Sequence, residues 1–355
     1  TLAKIFKGLK MIRNEKFRNA INNIPQKVPP IWFMRQAGRY HSHYQNLRKK
    51  HNFVQLCKTP ELAAEVAMGP INDFDYDVAI LFSDILFPLE SLGLELDYAP
   101  GPVFNRFLNE NDLSVPISSS EILESNKFQA EALDITRNLL PNNKSLVGFV
   151  GGPWTLLSYG LGKKNENKIM DIEKHSFIEK ALYDILVPML RDIIKMQLDN
   201  HSEIVYIFDT NAKQLEKNYF VQNYVENLKN NIFSEFEGKI AYFCKDNPLL
   251  SNPNNISDYN LSGMVFGKND GLEDFLPNLN NGFIQGNFEP THLLKDEIEF
   301  ELELDHFIQN FSKLSTSERS GWVCSLNHGV LPKAKEDNVK RFINKVRTTF
   351  DQLED

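Results

Sequence analysis

Eight short runs rich in valine, isoleucine and phenylalanine recur along the 355-residue chain, and longer stretches with helical spacing separate them. The runs are apolar almost throughout, which is typical of parallel strands that are buried on both faces. They lie at residues 30–34, 78–83, 145–150, 204–208, 239–244, 263–266, 282–286 and 321–326. This pattern limits the chain to a fold in which helices cover a parallel sheet.

The segments between the runs have the periodicity of amphipathic helices, most clearly at 177–198, 221–233 and 338–353. Eight strand–helix units favour a single-domain (β/α)8 TIM barrel, an α/β fold, over a doubly wound sheet, whose first strand usually leads into a glycine-rich turn. Here that turn reads RQAGR. No linker or internal repeat divides the chain, so we expect one domain over 16–355 after an N-terminal extension at 1–15.

The first fourteen residues contain four basic residues and no acidic one, which fits a frayed or disordered terminus or, less often, the remnant of an organelle-targeting segment. Cys57, Cys244 and Cys324 are too few and too scattered for a disulfide framework, which favours a reducing compartment. No apolar stretch approaches the roughly 20 residues that a membrane-spanning helix needs. We therefore expect a cytoplasmic protein without membrane insertion.

A positively charged stretch follows the first apolar run. No aspartate or glutamate lies between Arg35 and Arg48, and Arg39 lies between them, although the formal net charge of the chain is -8. This overall acidity argues against a nucleic-acid binder, because such binding needs a broad basic field. Guanidinium groups bind carboxylates and phosphates through paired hydrogen bonds, so a local anion site is one interpretation. The other interpretation is that these arginines lie along the surface or pair with distant acids.

A barrel of this kind places its chemistry at the carboxyl ends of the strands. Asp84 ends the second run among apolar neighbours, where a carboxylate needs a partner to stay ionised. That partner is a helix N-cap amide, one of the arginines or the N–H groups of a ligand. Tyr159, Asp209, Thr210 and His328 follow other runs, and each has an ordinary alternative role in the core or as a helix cap.

The sequence has no HExxH, no CxxC and no paired-histidine spacing, and it lacks the P-loop and dinucleotide fingerprints. We therefore expect neither a metal nor a nucleotide cofactor.

Six blocks resemble, in their order and spacing, the uroporphyrinogen decarboxylase family. They are MRQAGRY at 34–40, FSDIL at 82–86, GPWTLLSY at 152–159, YIFDT at 206–210, QGNFEP at 285–290 and SLNHG at 325–329. Members of this family are (β/α)8 barrels, usually homodimers, that remove CO₂ from the four acetate side chains of uroporphyrinogen III to give coproporphyrinogen III in haem biosynthesis, without a cofactor. The resemblance implies the same fold, substrate, homodimer and reaction here.

The resemblance also implies a substrate site. Its residues would be Arg35, Gln36, Ala37, Gly38, Arg39, Asp84, Tyr159, Thr210 and His328, with Arg48 as a further contact at the rim. Asp84 would lie beneath the pyrrole nitrogens and stabilise the positive charge of a ring protonated at carbon, and Arg35 and Arg39 would bind carboxylates. Because arginine is a poor acid, the general acid stays open.

The chain departs from the usual family pattern in several loops. Thr210 replaces a common serine, Lys213 replaces a common glycine, and FGKN at 266–269 replaces LDW. Phe288 and Asn327 alter two further blocks. These departures spare the arginines and the aspartate, so they bear on loop geometry more than on activity.

Two other functions compete with this interpretation. A zinc-dependent corrinoid methyltransferase of the same fold would use a His-x-Cys pair and a later cysteine. Cys244 and Cys324 have a similar spacing, but Tyr242 stands where the histidine would be. A non-catalytic tetrapyrrole binder would need only the arginines, and the intact Asp84 argues against it.

Overall fold

The computed structural model describes residues 12–99, 101–113, 118–166 and 176–353, so most of the expected N-terminal extension lies outside the described residues. The strands in these ranges are β1 (Val78–Ile80), β2 (Leu96–Tyr98), β3 (Pro102–Phe104), β4 (Ser145–Gly151), β5 (Val205–Phe208), β6 (Ile240–Phe243), β7 (Gly263–Val265), β8 (Phe283–Phe288) and β9 (Trp322–Leu326). Strands β1 and β4 to β9 form one parallel sheet of seven strands in chain order, and β2 and β3 form a separate antiparallel hairpin.

The apolar runs become strands because both faces of the sheet are buried. Every residue of β6, β7, β8 and β9 is buried, as expected for a parallel sheet between a core and a layer of helices. Seven of the eight predicted strands are confirmed, although their ends move by up to three residues. Thus β1 ends at Ile80, while the Leu81 amide still donates to the Val147 carbonyl at 3.0 Å.

The remaining predicted strand, at residues 30–34 and so the first along the chain, is not formed. A single parallel bridge pairs Ile31 with Cys324. Pro29 and Pro30 have no N–H group to donate to a ladder, which prevents a regular strand here. The segment still accepts hydrogen bonds on both sides, since the Pro30 carbonyl accepts from Cys324 in β9 and the Ile31 carbonyl accepts from Asp77 beside β1, both at 3.0 Å.

Helices surround the sheet. In the described ranges the α-helices are α1 (Glu15–Ile21), α2 (Ser42–Arg48), α3 (Phe53–Lys58), α4 (Pro60–Phe74), α5 (Ser119–Leu139), α6 (Pro153–Gly160), α7 (Ser176–Glu179), α8 (Val187–Asp199), α9 (Lys217–Tyr219), α10 (Val225–Leu228), α11 (Asn255–Asp258), α12 (Leu272–Phe275), α13 (Glu297–Ser312) and α14 (Glu336–Gln352). Short 3₁₀ turns lie at Phe87–Leu92, Glu110–Leu113, Thr210–Gln214, Pro248–Ser251, Leu276–Asn278 and Pro290–Leu294. Within the same residues, no helix is both long and apolar enough to cross a membrane.

The three predicted amphipathic helices are confirmed, but two of them contain wider π-helical turns. These turns lie at Lys180–Leu186, Phe220–Tyr224 and Lys229–Phe233. The first of them comes just before Pro188, which has no N–H to continue the regular bonding pattern. Hydrophobic periodicity does not distinguish such a turn from an α-helix.

Aromatic side chains join the sheet to the last two helices. Phe288 in β8 lies 5.2 Å from the ring of Phe307 in α13 and 5.1 Å from that of Phe342 in α14. Phe311 stacks on Trp322 of β9 with 4.1 Å between ring centroids. The family departure at Phe288 is therefore a packing residue of the core.

A buried carboxyl group lies near the amino-terminal end of β5, away from the carboxyl ends of the strands. Glu203 accepts a hydrogen bond from the Arg13 amide at 3.2 Å, and an Arg137 guanidinium nitrogen is 3.9 Å from its other oxygen. Arg137 also donates to carbonyl oxygens of its own loop. Burial raises the pKa of Glu203 from 4.5 to about 7, although these partners and Ser145 lower it in part.

The raised pKa of Glu203 predicts a pH-dependent stability. The folded state binds this proton more tightly than the unfolded state does, so its contribution to stability is full below pH 4.5 and is lost as the pH rises to 7. We expect Glu203→Gln to stabilise the fold relative to the original chain by roughly 1–3 kcal/mol more at pH 8 than at pH 5. Urea unfolding at both pH values measures this. Glu65→Gln, on an exposed helix face, is the control, and equal effects of Glu203→Gln at both pH values would contradict the assignment.

Candidate functional site

The turn after residues 30–34 projects an arginine over the carboxyl ends of the strands. The Val330 amide donates to the Met34 carbonyl at 2.9 Å, and the Gln36 amide donates to the Phe33 carbonyl at 3.1 Å. Between these bonds, Arg35 has the left-handed backbone conformation, with φ of 59°. This conformation costs a non-glycine residue about 1–2 kcal/mol, so the surrounding bonds hold the turn in a strained shape.

Arg35 is the centre of a group of charged and polar side chains. Although solvent reaches its side chain, desolvation by the surrounding protein lowers its pKa, and the nearby Asp84 and Tyr159 oppose this shift. Arg39 lowers the pKa of Arg35 further through like-charge repulsion. Among the described residues, neither arginine forms an ion pair. The fold therefore leaves two cationic groups available to a ligand beside one carboxyl group.

Asp84 lies half-buried just beyond β1, and its Oδ1 accepts a hydrogen bond from the Leu86 amide at 2.9 Å. Burial raises the pKa of the Asp84 carboxyl group, while the Leu86 amide, Tyr98 and Arg35 lower it. Of the two protein partners weighed from the sequence, Arg35 interacts with Asp84 electrostatically, whereas the backbone bond comes from the Leu86 amide and Asp84 does not cap the turn Phe87–Leu92. They hold a carboxyl group that is costly to ionise without them.

Tyr98, which the sequence analysis missed, lies beside Asp84. It ends β2, and its ring packs against Phe53 with 4.6 Å between centroids. Its hydroxyl is buried and close to the Asp84 carboxyl group, but not in good hydrogen-bond geometry. The turn residues of LDYAPGPVF indicate a hairpin, yet nothing in the sequence relates this hairpin to the end of β1.

His328 lies two residues beyond β9, with its ring 5.8 Å from that of Phe243. Burial lowers its pKa to about 4, and Arg35 and Lys245 contribute in the same direction. His328 is therefore neutral at pH 7. The following residue, Gly329, leaves room for the arginine, because a Cβ atom there would lie only 2.5 Å from the Arg35 Cδ.

Tyr159 lies on α6, and Asp209 fixes the start of that helix. The Asp209 carboxylate accepts hydrogen bonds from the Thr155 amide at 2.9 Å and the Thr155 hydroxyl at 2.8 Å. It also accepts from the hydroxyl groups of Tyr224 and Tyr242. A Cβ on Gly152 would lie 2.1 Å from the Asp209 Cγ, so only glycine allows this approach. Asp209 thus caps a neighbouring helix.

The structure also gives the positions of the remaining predicted site residues. Thr210 is half-buried and begins the turn that follows β5. The Gln36 side chain donates to the Val78 carbonyl at 3.0 Å, which leaves its backbone in the turn with the half-buried Ala37 and Gly38. Arg48, at the end of α2, is exposed and donates to the His51 carbonyl at 2.7 Å.

Two of the loop departures, Asn327 and the segment at 266–269, contact each other. The Asn327 amide group donates to the Glu289 carboxylate at 2.9 Å and to the Asn269 side chain at 2.6 Å. Asn287 donates to the Asn269 carbonyl at 2.9 Å. These bonds join the loops after β7, β8 and β9 beside His328. The unusual residues therefore act as one hydrogen-bonded unit.

Cys244 and Cys324 are both buried and free of disulfide bonds. Burial raises the pKa values of both thiols. Cys244 interacts electrostatically with Asp209, whereas Cys324 interacts with Asp77 near the other end of the sheet. Within the described residues, no group of three or more His, Cys, Asp or Glu side chains has a metal-binding arrangement.

Comparison with known proteins bears on this arrangement. The family model described as uroporphyrinogen decarboxylase (URO-D) matches residues 12–349. The chain belongs to the uroporphyrinogen decarboxylase family. A uroporphyrinogen decarboxylase of Orientia tsutsugamushi is 34% identical, with 94% of this chain and 98% of that protein covered. Those of Chlorobium phaeobacteroides and Geotalea daltonii are each 30% identical, with 95% and 96% of this chain and 98% and 100% of those proteins covered.

A solved structure of a methyltransferase from Methanosarcina mazei resembles this uroporphyrinogen decarboxylase family chain in fold. The TM-score is 0.68 at 17% sequence identity, and the match covers 96% of this chain and 99% of that one. At this identity the likeness concerns the fold alone.

The contact between Gly329 and Arg35 yields a prediction. Gly329→Ala should move the Arg35 side chain away from His328, since the new methyl group would occupy the place of the Arg35 Cδ. With the repulsive charge farther away, the pKa of His328 should rise by about half a unit from its value of about 4. NMR titration of the His328 ring measures this. Gly101→Ala, where a Cβ meets nothing within 4 Å, is the control. An unchanged His328 titration would contradict the proposed crowding.

Proposed function

We propose that this chain is a uroporphyrinogen decarboxylase. It removes CO₂ from the four acetate side chains of uroporphyrinogen III and yields coproporphyrinogen III in haem biosynthesis, without a cofactor. The observation that carries the proposal is the grouping of Arg35 and Arg39, free of ion pairs within the described residues, with the desolvated carboxyl group of Asp84. A substrate with carboxylates at its edge and pyrrole N–H groups at its centre complements both features.

The two arginines bind and orient substrate carboxylates. Each guanidinium group can donate two parallel hydrogen bonds to a carboxylate, which fixes its direction as well as its position. An acid within the turn would compete for these donors, which explains why the segment from Arg35 to Arg48 carries none. The Gln36, Ala37 and Gly38 backbone forms the floor of this subsite.

Asp84 acts on the macrocycle. Its carboxylate accepts hydrogen bonds from pyrrole N–H groups and stabilises the positive charge that develops when a proton adds to a ring carbon. The protonated ring then accepts the electron pair of the breaking C–C bond as CO₂ leaves. Return of that pair to a second proton on the side-chain carbon, with loss of the ring proton, turns each acetate into a methyl group. The substrate thus supplies the electron sink that a cofactor supplies in other decarboxylases.

The remaining site residues shape the rest of the cleft. His328 is a neutral hydrogen-bonding group, because its pKa of about 4 keeps it uncharged at pH 7. Tyr159 and Thr210 contribute hydroxyl groups, and Arg48 contributes a cationic group at the rim.

The proposal extends to the whole molecule. The hydrogen bonds of residues 30–34 to β9 and to Asp77 support a closed (β/α)8 barrel, in which this segment takes the place of the first strand. The chain is a single domain over 16–355 that follows an N-terminal extension at 1–15. The protein works as a cytoplasmic homodimer, with the porphyrinogen as its small-molecule ligand and with neither nucleic acid nor membrane as a partner.

The main prediction concerns Asp84. Asp84→Asn should lower kcat by about 100-fold or more, because an amide cannot stabilise the cationic ring. Anaerobic incubation with uroporphyrinogen III, followed by mass spectrometry of the products, measures the loss of carboxyl groups. Asp97→Asn makes the same change at an exposed position of the neighbouring hairpin and should keep full activity.

The same assay separates the competing functions. If the original chain releases no CO₂ but binds the porphyrinogen, it is a tetrapyrrole binder. Bound zinc with methyl transfer would instead place it among the methyltransferases. If Asp84→Asn binds substrate and turns it over fully, the role of Asp84 is wrong while the decarboxylase function stands.

The position of Tyr98 predicts a pH effect. Tyr98 lowers the pKa of Asp84, so Tyr98→Phe should raise that pKa, and the carboxylate should be lost at a higher pH on acidification. The acidic limb of the kcat/KM profile should therefore move to higher pH, with activity at pH 8 close to the original. A uniform loss at every pH would indicate a packing role for Tyr98.

A further inference from the structure

A cavity lies on the same side of the sheet as the proposed site. It lies between the turn Thr210–Gln214 with α9 on one side and the turn Pro248–Ser251 on the other, and its volume is about 380 Å³. Ligand cavities commonly measure roughly 300–1,000 Å³, so this one can take an arm of a large molecule but not a whole macrocycle.

Three lysines from two connections between strands line this cavity. Lys213 and Lys217 follow β5 and Lys268 follows β7, while Asp246 is an acid that also lines the cavity. None of the three lysines forms an ion pair within the described part of the chain. In a protein with a net charge of -8, three such cations around one cavity make a local positive field.

Part of the cavity wall is apolar, although Asn247 and Ser251 also contribute to it. Leu215, Phe220 and Pro248 contribute to its lining beside the lysines. A ligand that fits both features has a short aliphatic chain with a carboxylate at its end. Of the side chains of uroporphyrinogen, the propionates match better than the acetates, because their additional methylene group reaches farther along the apolar wall.

The cavity is near the proposed site. Lys245, on the loop after β6, is close enough to His328 to lower the pKa of its ring. The preceding residue, Cys244, interacts in turn with Lys213. Cationic groups thus extend from the Arg35 turn past His328 to the cavity, along loops that follow neighbouring strands.

We infer that the cavity lined by Lys213, Lys217 and Lys268 binds a propionate arm of the tetrapyrrole while Asp84 holds the ring. This inference rests on the proposed function for the identity of the ligand. The propionates remain on the substrate through all four decarboxylations, so the cavity offers an anchor that is the same for substrate, intermediates and product. The acetates then present themselves in turn to the arginines.

The experiment is a binding titration that needs no turnover. Uroporphyrin, with four acetates and four propionates, and coproporphyrin, with four propionates alone, are titrated into the original chain and into Lys213→Gln/Lys268→Gln, and protein fluorescence quenching gives each Kd. Because solvent-exposed ion pairs are individually weak, we expect the double variant to weaken the binding of both ligands by about tenfold. Lys27→Gln/Lys313→Gln removes the same charge from exposed positions elsewhere and should weaken neither.

Three outcomes would overturn the inference. They are unchanged binding of both porphyrins, weakened binding of uroporphyrin alone, which would assign the cavity to acetates, and equal weakening by the Lys27/Lys313 control, which would reduce the effect to net charge. A lysine-dependent thermal stabilisation by inorganic phosphate without porphyrin would also overturn it in favour of a free-anion site.

Failure of the inference and failure of the proposed function are distinguishable. If the original chain makes no coproporphyrinogen but its porphyrin binding depends on the two lysines, the proposed decarboxylase function is wrong and the inference of a propionate site in the cavity is supported. If turnover is normal and porphyrin binding does not depend on the two lysines, only the inference of a propionate site in the cavity is wrong.

Discussion

The main-chain hydrogen bonds of residues 30–34 hold the proposed site together. Buried carbonyl and amide groups must be paired, and those of this segment find partners in Asp77 on one side and Cys324 on the other. The side chain of Asp77 adds a bond to the Ile31 amide at 2.8 Å. Because the segment is anchored on both sides, the turn that carries Arg35 faces Asp84 and His328 at once. Without these bonds the arginine would have no fixed relation to either.

The sequence predicted the sheet well because burial on both faces leaves a strong signal, a nearly continuous apolar run. It failed at residues 30–34 because apolar character does not report whether amide groups are available, and Pro30, like Pro29 before it, has none. It also did not predict the π-helical turns, which share the periodicity of an α-helix. For the site, strand ends pointed to Arg35, Asp84 and His328, since the ends of parallel strands meet at one edge.

Residues that reach the site from outside the sheet were not predictable in this way. Tyr98 comes to Asp84 on a hairpin whose direction depends on tertiary packing against Phe53. Asp209 had a local explanation as a cap, but the helix that it caps belongs to the preceding unit. The departures at Asn327 and Lys213 looked alike as deviations from a pattern. In the folded chain Asn327 is satisfied within a hydrogen-bonded network, whereas Lys213 lines a cavity with other lysines.

The way α6 begins has a consequence for how this protein meets anions. Helix N-termini often cradle carboxylates or phosphates with free amides. Here the Gly152 amide donates to the Phe208 carbonyl, the Trp154 amide to the Tyr224 hydroxyl and the Thr155 amide to Asp209, so protein atoms already occupy these donors. Anions near the start of α6 must therefore rely on arginine and lysine side chains, whose attraction is screened by salt more than that of a buried backbone cradle. Ionic strength should thus govern how tightly the molecule holds its ligand.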